Sequence, residues 1–500
     1  MAEYYLGIDI GTSSTKAAII DCYGKIHGIG QKEYTISMPK ADWCEQDTEV
    51  WWEAVLECVH NALQVSKINS SEICGIGLSG QMHGIVVLDH VGKVLRPAII
   101  WSDQRSSRQV QKYMEEIGKK RLGELCANPV ATGFAGPSLL WLKENEPDIY
   151  EKTAVIMQPK DYVRYKMTGL IATESTDACG TLLFDTANGV WSESMCEVLG
   201  LDIKKLPRVN KPWENAGLLT EEAALKMGLK KGVTIAYGGA DQPMQAIGNG
   251  IIQPGTVSVT IGTGGQVFTP IHSPKYDPEL RMHTFCHAIE NTWNVLGATM
   301  AAGLSLKWFR QEILGGISYK ELDECAGSVS AGSEGLLFLP YLVGERTPYM
   351  DSKARGVFIG LTLRHTKAHM IRAVMEGVTM ALWQSFNIFR ELELPIDCII
   401  ASGGGASSKV WRQIMADVLE YPISITAATE QACVGAAIMG SVANGAFESV
   451  ESAVKAIVPK PTVMEHPILE NMNKYRIMKD IFIQAYNQNK IIMHSLSDVG

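Results

Sequence analysis

The chain runs to 500 residues, more than a single hydrophobic core supports, so at least two domains are expected. Its 46% hydrophobic and 20% charged residues are those of an ordinary soluble globular protein. A formal net charge of −9 argues against nucleic acid or an anionic membrane as the main partner, and it leaves any phosphate site to local groups.

The opening Met1-Ala2-Glu3-Tyr4-Tyr5 shows no basic region or signal-like apolar core. No apolar stretch is long enough to span a bilayer. The 11 cysteines are scattered singly without a C-x-x-C pair, which fits free thiols in a reducing cytoplasm.

In chain order, β-like segments are expected at 4–10, 15–21 and 26–35. A helix follows from Thr48 to Leu63 with Asp47 as its cap, because Trp51, Val55, Val59 and Leu63 recur on one face. Ile73 to Leu78 and Ile85 to Leu88 read as strands around the turn Ser79-Gly80-Gln81-Met82-His83-Gly84. Lys231 to Tyr237 reads as a strand running into Gly238-Gly239-Ala240-Asp241, where a helix starts with Pro243 in its first turn. Gly248 to Pro254 is the expected crossover between lobes. The second half repeats the order of strand, turn, strand, helices, and a strand ending in Gly403-Gly404-Gly405. A helical tail, 471–496, presents Tyr475, Met478, Phe482 and Tyr486 at docking spacing.

One motif occurs in both halves. Leu6-Gly7-Ile8-Asp9-Ile10-Gly11-Thr12-Ser13-Ser14-Thr15 and Val257-Ser258-Val259-Thr260-Ile261-Gly262-Thr263-Gly264-Gly265 each join two β-rich runs through a Gly-Thr turn. Such turns expose backbone N–H groups and hydroxyls to a phosphate chain. Two copies predict two similar lobes closing on one nucleotide. No Walker-type or Rossmann glycine pattern is present, so a two-lobed actin-like fold fits better.

Asp9, at a strand end beside the first turn, is placed to hold Mg²⁺ near phosphates; ordering its own turn is the competing role. Asp241 is the candidate base for an alcohol, with glycines before it that let a substrate approach; a simple helix cap is its competing role. Gln81, Met82 and His83 sit where side chains face a cleft, although methionine is more often packing. His283, Cys286 and His287 lie close in sequence, but they lack a fourth ligand and read as core or pocket packing.

Taken together, these blocks resemble the FGGY carbohydrate-kinase family over nearly the whole chain. The matching segments include Gly7–Thr12, Trp43 with Glu45-Gln46-Asp47, Gly80–Gly84, Arg96–Trp101, Leu139–Pro147, Pro159–Tyr162, Gly238–Asp241, Phe338–Tyr341 with Gly344–Pro348, and Gly356–Leu361 leading to His369–Gly377. The resemblance implies an α/β chain of two ribonuclease-H-like (actin-like ATPase) domains flanking a catalytic cleft, at 1–246 on the sugar side and 255–500 on the ATP side. It implies transfer of the γ-phosphoryl of ATP, with Mg²⁺, to the terminal hydroxyl of a ketopentose. D-xylulose is the leading acceptor, and D-ribulose or another ketose or polyol is the alternative.

The same resemblance places the catalytic aspartate on Asp241 and the metal-associated one on Asp9, with Asp241 beside the metal. Sugar contacts then fall on Met82, His83 and Gln242, and Gln81, from its place in the cleft turn, and Asp241, as the base, are counted with them. The phosphate loops fall on Gly11, Thr12 and Ser13 and on Gly262, Thr263 and Gly264, with Gly303, Gly404 and Gly405 near the nucleotide. Partners are then a small sugar and ATP, with a homodimer allowed. Two positions depart from the family pattern: Ser138 follows Pro137 where lysine is usual, and Gln242 replaces an asparagine. Rival readings from other classes are an actin-like ATPase driving a protein partner and a sugar sensor without turnover.

Overall fold

The computed structural model describes residues 3–499; Met1, Ala2 and Gly500, the outer ends of the expected spans, lie outside the described residues. Two sheets built on one plan organise the chain. The first contains β1 (Tyr4–Ile10), β2 (Ser14–Asp21), β3 (Ile26–Glu33), β4 (Ile73–Gly80) and β5 (Thr234–Ala236), in the order β5-β4-β1-β2-β3. The second contains β6 (Gly255–Ile261), β7 (Gly265–Ile271), β8 (Trp293–Thr299), β9 (Ile396–Ser402) and β10 (Ile423–Ile425), in the order β10-β9-β6-β7-β8. In each sheet an antiparallel meander of three strands is extended by parallel strands on the side of its first member. This is the repeated ribonuclease-H-like plan that the twin Gly-Thr turns led us to expect.

The helices form where the sequence pattern places them. Helix α1 (Thr48–Ser66) starts at Asp47, whose side chain accepts from the Glu49 amide, and it runs nearly a turn past Leu63 to a left-handed Lys67. The expected strand 231–237 shortens to Thr234–Ala236 because Gly232, at φ 81°, turns the chain first. Helix α2 is Pro159–Thr168 and helix α3 is Asp241–Gly248, each with proline in its first turn. The long buried helix α4 (Lys367–Glu391) fills the second core. The final helix docks on that core through buried Tyr475, Phe482 and Tyr486 and partly buried Met478.

Two helices of the second half cover the first sheet. Helix α5 (Gln431–Ala443) and helix α6 (Val450–Ile457) bury Val434, Ala437, Ile438, Val450 and Val454 with Tyr5, Ile20, Met244 and Ile247. We number the tail helix α7 (Leu469–Ser497). Under α5 the sheet is floored with glycine. A Cβ on Gly7 would stand 1.8 Å from the Cys433 carbonyl oxygen, one on Gly77 1.7 Å from that of Ala436, and one on Gly75 2.4 Å from that of Gly440. Gly7 and Gly77 are register partners, so the floor is continuous across β1 and β4.

Backbone cannot retreat as a side-chain tip can, so Gly77→Ala is expected to destabilise by about 3 kcal/mol or more. Gly404→Ala, with nothing within 4 Å of the new methyl, should leave the melting temperature within about a degree. Thermal denaturation of the two variants against the parent checks this.

Candidate functional site

The two loops occupy equivalent places at the ends of β1 and β6. In the first, the Gly11 amide closes onto the Ser14 carbonyl at 3.0 Å; in the second, the Gly262 amide closes onto that of Gly264 at 2.9 Å. The amides of Thr12, Ser13, Thr263 and Gly264 donate to no acceptor among the described residues, so both turns present free N–H groups. Just before each turn, a side chain meets a hydroxyl from the neighbouring parallel strand. Ser79 Oγ donates to Asp9 Oδ1 at 2.7 Å, and Thr260 Oγ1 pairs with Ser402 Oγ at 2.7 Å. The scaffold is therefore duplicated, and the carboxylate belongs to the first copy alone.

Gly262, Thr263, Gly303, Gly404 and Gly405 line one cavity of about 580 Å³, together with Lys307, Tyr319, Asp323 and Trp411. The Ala302, Gly303 and Leu304 amides cap the carbonyls of Gly262 and Thr263 at 2.8–3.0 Å, which fixes the second loop as one wall. Gly303 has to be glycine, since a Cβ there would lie 2.4 Å from the Gly262 oxygen. The size and the apolar walls suit a nucleoside.

Asp241 opens α3 directly after Gly239–Ala240, which pair in parallel with Ser79–Gly80. Gly238, at φ 75°, passes so close to β4 that a Cβ would meet the Leu78 oxygen at 2.2 Å. Asp241 is half-buried, and burial together with the negative charge of Asp9 pushes its carboxyl up to about 7, against hydrogen bonds from Gln242. Burial also raises Asp9, while the Ser79 hydroxyl and the Lys16 charge oppose the shift. The two carboxylates are close enough for the Asp9 charge to raise Asp241, and neither takes part in an ion pair among the described residues. Lys16 is tied instead to Glu430 at 2.8 Å.

The sugar-side residues divide. His83, at φ 71°, hydrogen-bonds the Gly180 carbonyl through Nδ1 at 2.7 Å. Burial, reinforced by the Arg346 charge, pushes its pKa down to about 4. It is thus a neutral ring that donates from Nδ1 and keeps Nε2 as an acceptor. Met82 is buried in the core with Ile85, Phe134 and Leu139. Gln81 lies beneath the first loop: its Nε2 donates to Gln46 Oε1 at 2.9 Å, and Gln46 Nε2 donates to the Thr12 carbonyl at 2.7 Å. Gln242 lines a small crevice with Gln245, Ser258, Thr260 and Gln266, between α3 and the second sheet. His283 pairs with Asn128 at 3.0 Å and stacks with Phe285, and His287 contacts the Ile251 carbonyl, as packing residues do.

Sequence reasoning missed the supports of the site. Trp101 Nε1 donates to Thr12 Oγ1 at 2.8 Å. Behind Asp241, fully buried Lys160 meets Asp161 at 2.8 Å, Asp177 at 3.2 Å and Glu174 at 3.5 Å. Burial alone would lower the Lys160 pKa, but the three carboxylates outweigh it and raise it. Glu174 in turn accepts from Thr176 Oγ1 at 2.9 Å, and Thr176 Oγ1 accepts the Ala240 amide at 2.8 Å. The residue before Asp241 is therefore held by a buried ionic cluster. Pro159-Lys160-Asp161-Tyr162 matched the family, yet no local pattern shows what the lysine faces.

Comparison with known proteins identifies the family. Residues 4–248 match the N-terminal domain of the FGGY family of carbohydrate kinases, and residues 257–444 match its C-terminal domain. The chain is 35% identical to a xylulose kinase of Bacillus subtilis over 98% of its own length and 97% of that protein's. It is 37% identical to a xylulose kinase of Lactococcus lactis over 99% and 98% of the two chains. A crystal structure of a xyloylose kinase from Brucella ovis superposes with a TM-score of 0.91 at 32% identity, covering 98% of this chain and all of that one. The chain belongs to the FGGY family of carbohydrate kinases.

Replacing Lys160 by methionine would leave three buried carboxylates without their central cation. Removing one partner of a buried pair costs about 3–5 kcal/mol, and Lys160→Met is expected to fall in that range by urea denaturation.

Proposed function

We propose that this carbohydrate kinase transfers the γ-phosphoryl group of ATP to the terminal hydroxyl of a ketopentose, D-xylulose in the first place, yielding D-xylulose 5-phosphate. The observation that carries the reading is a half-buried carboxylate, Asp241, set at the start of a helix and facing Asp9 between two turns with free amides. The full-length similarity to proteins named xylulose kinase supports the choice of acceptor.

In this reading the lobes divide at 1–246 and 255–500. The nucleoside occupies the cavity bordered by Gly303, Gly404 and Gly405, and its phosphates run towards the Gly11-Thr12-Ser13 and Gly262-Thr263-Gly264 turns. Asp241 accepts the proton of the attacking hydroxyl, while the free amides receive charge that builds on the transferring group. His83 Nε2 accepts from a sugar hydroxyl, and Gln81 acts through Gln46 by holding the first loop.

The oxygen donors Asp9 and Asp241, which share one site and lack a paired cation, suit Mg²⁺. When bound, that ion neutralises charge on the phosphates. A cytoplasmic location fits the eleven free thiols, and a homodimer is inferred from the family resemblance alone.

The direct test is a screen for ADP release with D-xylulose, D-ribulose and related ketoses and polyols. D-xylulose should give the highest kcat/KM, and Asp241→Asn should lower kcat at least about a hundredfold, as loss of a general base does. Absence of sugar-dependent ADP release would overturn the assignment, and near-parental turnover in Asp241→Asn would remove the base.

A pH profile follows from the same residue. The base form is the ionised one, and its population rises with pH through the pKa of about 7. Measured with limiting sugar, kcat/KM should climb about tenfold per pH unit below that value and level off above it.

A further inference from the structure

Arginines taken out of water in this fold have acceptors. Arg105, Arg164, Arg372 and Arg412 each meet a carboxylate, and Arg310 and Arg355 donate to backbone carbonyls. Arg346 is the exception. It is half-buried, and its guanidinium has neither an ion pair nor a hydrogen-bond acceptor among the described residues.

Its neighbour Glu345 does not fill the gap. The Glu345 carboxylate is buried, with Oε2 taken by Thr299 Oγ1 at 2.5 Å and Oε1 by the amides of Met300 and Arg346 at 3.0 and 2.7 Å. The backbone is fixed as well: the Arg346 carbonyl accepts the Met350 amide at 2.6 Å, and the Thr347 amide donates to Ala298 at 2.9 Å. A guanidinium carries five N–H donors, and leaving them half-desolvated without partners is costly. A rigid segment that presents such a group points to an acceptor arriving from outside.

The surroundings say which one. Arg346 comes from the second half but faces the first. Its Cζ lies 6.0 Å from the centre of the Trp101 ring, and Trp101 bonds the Thr12 hydroxyl. Its charge also reaches His83 and His283, which belong to a cluster of His83, Phe134, His283 and Phe285 rings spanning the two halves. It is absent from the walls of the nucleoside cavity.

We propose that Arg346 is an acceptor-binding residue, delivered by the nucleotide-side half to the sugar, where its donor fork holds non-reacting oxygens of the ketose. This rests on the function proposed above. The planar fork addresses two oxygens at once, which an ammonium cannot do with the same geometry. Because the group crosses from one half to the other, bound sugar would also join the halves.

The test compares Arg346→Gln and Arg346→Lys with the parent on D-xylulose, D-ribulose and D-gluconate, the last a probe whose carboxylate is a natural guanidinium partner. For the acceptor that the parent phosphorylates, Arg346→Gln should raise the acceptor KM at least about tenfold. The KM for ATP and the melting temperature should stay close to parental, and Arg346→Lys should recover part of the loss. An unchanged acceptor KM overturns the assignment and leaves the kinase reading standing. A KM for ATP that rises as much as the acceptor KM makes Arg346 a phosphate contact and likewise overturns it. A parent that phosphorylates none of the three overturns the functional reading together with the assignment.

Discussion

The architecture depends on the approach of one helix backbone to two strands. Helix α5 lies on β1 and β4 at a distance that no side chain between them would permit, so Gly7, Gly75 and Gly77 are a steric requirement. The same helix crosses α3 through reciprocal glycines: a Cβ on Gly248 would meet the Gln431 oxygen at 1.9 Å, and one on Gly435 the Met244 oxygen at 2.0 Å. The helix that carries Asp241 at its start is thus seated on a helix from the other half, which in turn is seated on the strand that carries Asp9. The relative position of the two carboxylates follows from backbone packing more than from their own hydrogen bonds. Glu430, just before α5, completes the arrangement by binding Lys16, the cation whose charge partly offsets the burial of Asp9.

Duplication supplies two turns with free amides, and divergence supplies the carboxylate. Both turns leave amides free, and both receive a hydroxyl from the adjacent parallel strand, Ser79 in one half and Ser402 in the other. Where the first half has Asp9 the second has Thr260, a neutral residue that pairs with its serine and adds no charge. In the proposed reaction, a second carboxylate in the second loop would place another negative group beside the phosphates. The threonine keeps the hydrogen bond and removes that repulsion.

The parts of this design that can be read in the sequence are those written locally. Alternation and Gly-Thr turns reveal the strands that bear both loops, and Asp47 marks the start of α1. Gly238-Gly239-Ala240-Asp241 shows a strand giving way to a helix because the glycine conformation and Pro243 are local signals. Helix α5 is another matter. It is apolar on every side, as Gln431–Ala443 is almost wholly buried, so its periodicity names no preferred face and no partner sheet. Gln81 illustrates the same limit. A glutamine in a cleft turn reads as a sugar ligand, yet its partner is Gln46, 35 positions away, and only the packed structure turns the pair into a brace for Thr12. The Lys160 cluster gathers Asp161, Glu174 and Asp177, which no fixed spacing connects.

Charge explains why the cleft needs groups from both halves. The proposed chemistry brings a polyanion to a protein of net charge −9, next to Asp241, whose carboxyl is pushed up to about 7 by burial and by the charge of Asp9. Backbone amides relieve part of this, since they offer positive poles without adding a titrating group. A divalent ion held by Asp9 and Asp241 would supply more of that relief. Because the free amides come from Thr12 and Ser13 in one half and from Thr263 and Gly264 in the other, the proposed transfer needs both halves to offset the charge.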